Sequence, residues 1–552
     1  LRSATISSSH APHAASQPDP ARVALSRFCQ APTPPHAGSR LRREVARAGQ
    51  LTSDTPRQSH QEVTMNQTRP DHTQAARQRR HLAIAAMIAI AAGGALAAGP
   101  AQAQTAADIA FRDTVQGPPP GYSGPEFKLS HDYPTSVPSQ CADCAWLKLN
   151  VNFNPTFDRK KLGTNTWVSG KWAEYLQLIL NYVKQGQDPQ FANAPGFQIG
   201  VNGKTRWYSV PWMAYDPTAG REFVHGTTNE RTAHLVDLIH PDGGTKGVLR
   251  GRNEVVGETV ACAKKYPEGF ETWAVGYYNE YGGMAVGKAI PASGVPKIGT
   301  YLGSPMPEGL PFPQGTVVVK FLTTTATPDC VPFLKGSPEW QLDRHVLDQK
   351  QQKYLCQRFV QTSRMVQIDV AVTDSRSPTG WVYGTFAYDG DLPGKTFWDR
   401  LEPLGIEFGA DPWTFPAVPK TSSLPAQQSV INPHINIYQH LGCENRLAGP
   451  VDNRQSSCLG CHGSAYAAPN GALTVMGFNV PPSFGFPGMC QEFSLTNAAY
   501  FDNTPAPQSF SGGNYPNAVG LDTSLQLEVA LIQYGNFNIN KAPNACKLDQ
   551  AP

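Results

Sequence analysis

The sequence predicts an α+β protein, a large β-rich body with antiparallel or mixed strands over residues 104–425 and a smaller, mainly helical and loop-rich region over 426–552. Three observations carry this. Several segments alternate apolar and polar residues with the period of two that belongs to a half-buried strand. Helical periodicity is confined to a few stretches that do not alternate regularly with the strands, which argues against a doubly wound parallel sheet. Of 552 residues, 50 are Gly and 49 are Pro while only 16% are charged, the composition of a chain rich in turns.

Residues 1–64 run through Ser, His, Pro, Ala and Arg without an apolar period, so they are read as a disordered or upstream extension. Residues 65–103 have the three parts of a secretory signal: the basic MNQTRPDHTQAARQRR, the apolar run Leu82–Ala98 and the small-residue pattern Ala101-Gln102-Ala103. The expectation is export to the periplasm, a mature chain from Gln104, and no membrane span once the signal is cleaved. With a net charge of +3, no clustered basic excess points to nucleic acid.

Along the body, Trp146–Asn154 puts Leu149, Val151 and Phe153 on one face and predicts a strand, as do Gly315–Leu322, Arg364–Val372 and Trp381–Tyr388. Apolar residues at three and four spacing predict helices over Trp172–Lys184, Pro338–Val360 and Asp522–Gln533. The stretch Arg206–Glu230, with Trp207, Tyr208, Trp212 and His225, is a dense polar and aromatic segment, read as a turn-rich piece whose aromatics fill the core. Pro416–Pro425 is a break in composition and marks the soft boundary near 425. No hydrolase, Walker or dinucleotide motif stands in a fitting context.

Chemistry concentrates in Cys458-Leu459-Gly460-Cys461-His462. In a C-x-x-C-H pentapeptide two thiols on one helical turn reach the two vinyl groups of one porphyrin, and the next imidazole faces the iron. The expected cofactor is therefore one covalent haem c on Cys458 and Cys461, with His462 as axial metal ligand. Eight other cysteines lie beyond the signal: Cys141, Cys144, Cys262, Cys330, Cys356, Cys443, Cys490 and Cys546. In an oxidising compartment an even number of this kind predicts up to four disulfides. Cys141-Ala-Asp-Cys144 has Ala145 where a second haem would need His, so it is read as a structural bridge.

On SSCLGCHGSA the chain resembles c-type cytochromes. More broadly it is similar to exported cytochrome c proteins with a large, poorly characterised N-terminal region, through GREFVHG at 220–226, Gln367–Val372, Gly380–Gly390 and Asp452-Asn453. The resemblance implies haem c, electron transport and periplasmic redox partner proteins. The distal iron ligand is left open among Met476, Met489, His434, His440 and a vacant position, because both methionines follow His462 more closely than in small class I cytochromes. Three functions follow: an electron carrier, a haem oxidoreductase whose body binds a substrate, and a haem-based binding or sensor protein.

Overall fold

The computed structural model describes most of residues 121–153, 170–185, 272–348, 353–409, 428–452, 457–467 and 519–540, with short pieces between 207 and 229. The signal segment, the 416–425 break, His225, Met476 and Met489 lie outside the described residues. Among the described residues the strands are β1 (Tyr215–Asp216), β2 (Gly220–Arg221), β3 (Thr228–Asn229), β4 (Thr272–Tyr278), β5 (Ile298–Tyr301), β6 (Ser304–Pro307), β7 (Val317–Thr324), β8 (Glu339–Asp348), β9 (Lys353–Thr373), β10 (Trp381–Tyr388), β11 (Leu401–Glu407), β12 (Ser429–Ile431), β13 (Tyr466–Ala467) and β14 (Val519–Gly520). The helices are α1 (Trp172–Val183), α2 (Glu280–Ala289), α3 (Cys458–His462) and α4 (Leu525–Asn540).

Eight strands form one antiparallel sheet in the order β12-β11-β10-β9-β7-β4-β3, with β8 pairing on β9. The body is thus mainly antiparallel sheet with few helices, as the alternating runs predict. Along β10, Val382, Phe386 and Tyr388 point into one core while Trp381, Tyr383 and Ala387 point to the opposite face. Both faces are covered, so all eight residues of the strand are buried. The first face is closed by α1, whose Trp172, Tyr175, Leu176, Ile179 and Leu180 enter the core at three and four spacing. That helix comes close: a Cβ on Gly384 would stand 2.2 Å from Leu176 Cδ2.

Two expectations are corrected. Among its described residues Pro338–Val360 is not a helix: β8 and the first part of β9 pair antiparallel, from Glu339↔Arg364 to Asp348↔Lys353. Trp340 and Leu342 are fully buried with half-buried Gln341 between them, a period of two that cross-strand partners enforce over the chance helical spacing. Over its described residues, 146–153, the segment predicted as a strand at Trp146–Asn154 is not one either; Ala145–Lys148 forms a 3-10 turn. Its backbone acceptors are claimed by Arg376, whose guanidinium donates to Trp146 O at 3.0 Å and Leu149 O at 2.6 Å while pairing with Asp374 at 2.6 Å. Phe153 is still buried, and Leu149 and Val151 pack against the same core. The Cys141–Cys144 bridge is present just before the turn.

The second face carries what matters for the site. At one end α2, α4 and Leu521 pack over Tyr278, Ala371, Trp381 and Tyr383; at the other, Val331, Leu334, Leu447 and Val451 cover Leu322, Val366 and Leu404. Cys458 touches both clusters. β12 hydrogen bonds along β11, so chain beyond 425 supplies part of the main sheet.

Candidate haem-attachment site

Helix α3 is one turn and a half, too short to hold itself in water, so its pose depends on its neighbours. Ser457 caps it, accepting from Gly460 N–H at 3.0 Å. The same hydroxyl donates to Glu407 Oε1 on β11 at 2.9 Å. Cys458 N–H donates to Leu447 O at 3.1 Å, and Gly463 N–H closes the C-terminus on Leu459 O at 2.8 Å. At the far end the His462 ring lies 4.8 Å from the Tyr383 ring. Tyr383 and Glu407 are direct partners across β10 and β11, so one cross-strand pair supports both ends of the helix.

The structure brings Cys458, Cys461 and His462 together on this turn. Both cysteines carry thiols, whereas Cys141, Cys144, Cys330 and Cys443 are disulfide-bonded. Burial raises the Cys458 thiol pKa, and the carboxyls of Glu407, Asp452 and Asp369 push it the same way. His462 Nδ1 is 3.0 Å from Thr523 O. A carbonyl only accepts, so this hydrogen bond places the proton on Nδ1.

Carboxyls beneath the helix are held toward their neutral form. Burial takes Glu407 up to about 7, against the opposing pull of Arg446 and Ser457. Asp369, joined to Asp452 through Gln367 Nε2 at 2.7 and 2.9 Å, is raised to about 8 by burial and by the Asp452 charge. Asp522, beside Thr523, is raised to about 6 by burial. Among the described residues no three His, Cys, Asp or Glu side chains converge to hold a metal ion.

Of the other ligand candidates, His434 is exposed in a turn closed by its N–H on Asn432 Oδ1, and His440 is buried. In the aromatic stretch Trp207, Tyr208 and Trp212 are buried, as core filling predicts. Sequence reasoning missed Glu407, Tyr383, Asp522 and Thr523. Glu407 had a usable signal, a charge closing the apolar strand LEPLGIE. Asp522 and Thr523 were hidden by the helix expected over Asp522–Gln533; that helix starts at Leu525, because Ser524 caps it by accepting from Leu527 N–H at 3.2 Å. Comparison with family models, with curated proteins and with solved structures gives no significant match for this chain.

Proposed function

We propose that this chain is an exported, monohaem c-type cytochrome that carries electrons between periplasmic partner proteins. In this reading Cys458 and Cys461 would hold the porphyrin and His462 would ligate its iron. The observation that supports it best is the pose of His462: its Nδ1 meets Thr523 O at the end of the one helical turn that also carries the Cys458 and Cys461 thiols.

The residues suit the group chemically. Each thiol can add across a vinyl group, its sulfur bonding one carbon and its proton passing to the other, with no oxidant required. Bound haem supplies reversible one-electron exchange at its iron, with a potential set by axial ligand, burial and nearby hydrogen bonds. The chain's own part is to aim the imidazole, bury the attachment turn between two apolar clusters, and hold the carboxyls near it toward their neutral form. The loop-rich region after 425 would complete the haem's surroundings, with Met476, Met489, His434 and His440 still candidates for the distal side. Export rests on the 65–103 signal; among the described residues no helix is long and apolar enough to cross a membrane.

Haem staining after denaturing electrophoresis tests the proposal. The exported protein should stain, and Cys458→Ser with Cys461→Ser should abolish the stain without abolishing export. A colourless protein whose mass equals its bare polypeptide would overturn it.

A further inference from the structure

The turn that receives the His462 proton is unusual in its backbone. Asp522 and Thr523 both sit in the left-handed region, at φ 51° and 61°, where a β-branched residue such as Thr is rarely found. Such a conformation persists only where its surroundings over-determine it. Here they do. Asp522 Oδ1 accepts from Trp381 Nε1 at 2.8 Å and its Oδ2 from Phe312 N–H at 2.7 Å, so both carboxyl oxygens are engaged by the body. Tyr383 Oη donates to Thr523 Oγ1 at 2.6 Å, and Tyr278 Oη meets Ser524 Oγ at 2.9 Å. Leu521 N–H donates to Ala465 O at 2.9 Å, tying the turn to the chain just after α3.

We propose that Asp522 is the positioning residue for His462: clamped on β10 and on the Phe312 amide, it holds the Thr523 carbonyl where it takes the Nδ1 proton and so aims Nε2. That aim is a property of the polypeptide; its consequence for the iron rests on the haem reading above. An imidazole whose N–H is bound to a carbonyl is a stronger donor, which favours the oxidised metal and lowers the potential. Through this clamp the sheet, and not the attachment turn alone, sets the electron affinity of the centre. Asp522 never touches the imidazole. It acts through its neighbour.

Two readouts in the full chain test this. In the Cys458→Ser, Cys461→Ser background, which lacks covalent haem, nitrogen NMR of the imidazole should show His462 as the single Nδ1–H tautomer. Asp522→Gly removes both acceptors while easing the left-handed backbone, and it should populate both tautomers. Asp522→Asn, which keeps one acceptor, should fall between. In the haem-bearing protein Asp522→Gly should move the reduction equilibrium toward the ferrous form about tenfold, 59 mV for one electron. Should Asp522→Gly prove unfoldable, Trp381→Phe removes a single donor and should shift tautomer and potential in the same direction by less. Loss of thermal stability with an unchanged tautomer and an unchanged potential would reduce the clamp to a structural role and overturn the proposal. If the exported protein proves colourless, the haem reading falls while the tautomer measurement still decides the positioning: a single Nδ1–H form lost in Asp522→Gly upholds it, and the same mixture in both chains refutes it.

Discussion

Glu407 is a fully buried carboxyl whose Oε2 has no hydrogen-bond partner, yet its Oε1 secures the cap of the attachment turn. The fold therefore prefers it protonated, raising it from 4.5 to about 7. Its contribution to stability is fully present below about pH 4.5 and declines as pH rises toward 7, by roughly 3 kcal/mol over that window. Glu407→Gln keeps an acceptor for Ser457 and cannot ionise. We expect it to flatten the loss of stability between pH 5 and 7 and to be the more stable form at pH 8, as read from denaturation midpoints across pH. At this scale the sequence was legible where spacing encodes chemistry: Cys458, Cys461 and His462 meet because they are adjacent in one turn. Glu407, Tyr383 and Thr523 approach them only through strand pairing and a left-handed turn, and no local pattern announces either.

Among the elements, α1 was legible because its apolar period of 3.6 is also the period of its burial, and β10 because an aromatic and β-branched run bounded by turn residues suits a strand buried on both faces. The β8–β9 hairpin was not, since its apolar spacing suits a helix and only the pairing of β9 with β7, β8 and β10 decides otherwise. Two substitutions probe these packings. Gly384→Ala places a methyl 2.2 Å from Leu176 Cδ2, and the overpacking should cost about 1–3 kcal/mol of stability measured by denaturant unfolding. Trp340→Ala removes a fully buried indole 4.7 Å from the Phe127 ring and should cost about 3–5 kcal/mol. A helix at that position, with Trp340 turned outward, would predict a far smaller loss.

In the whole molecule the sheet serves two masters, one face filled by α1 and aromatic side chains, the other supporting α2, α4 and the attachment turn. The boundary near 425 was placed on composition, while the backbone beyond it returns to the sheet as β12 and to the second face as α4. A chain ended before Ser429 should expose the Gly405–Glu407 edge of β11 and the apolar residues under α4, lowering the thermal midpoint and raising dye binding to exposed apolar surface. Finally, Cys461 is only 5% exposed. Any reagent that must reach that sulfur, whether an alkylating probe or a bulky tetrapyrrole, has to arrive before the polypeptide closes around it. If the proposed attachment occurs, this burial calls for modification first and burial second, with the sealed turn afterwards shielding its bonds from outside attack.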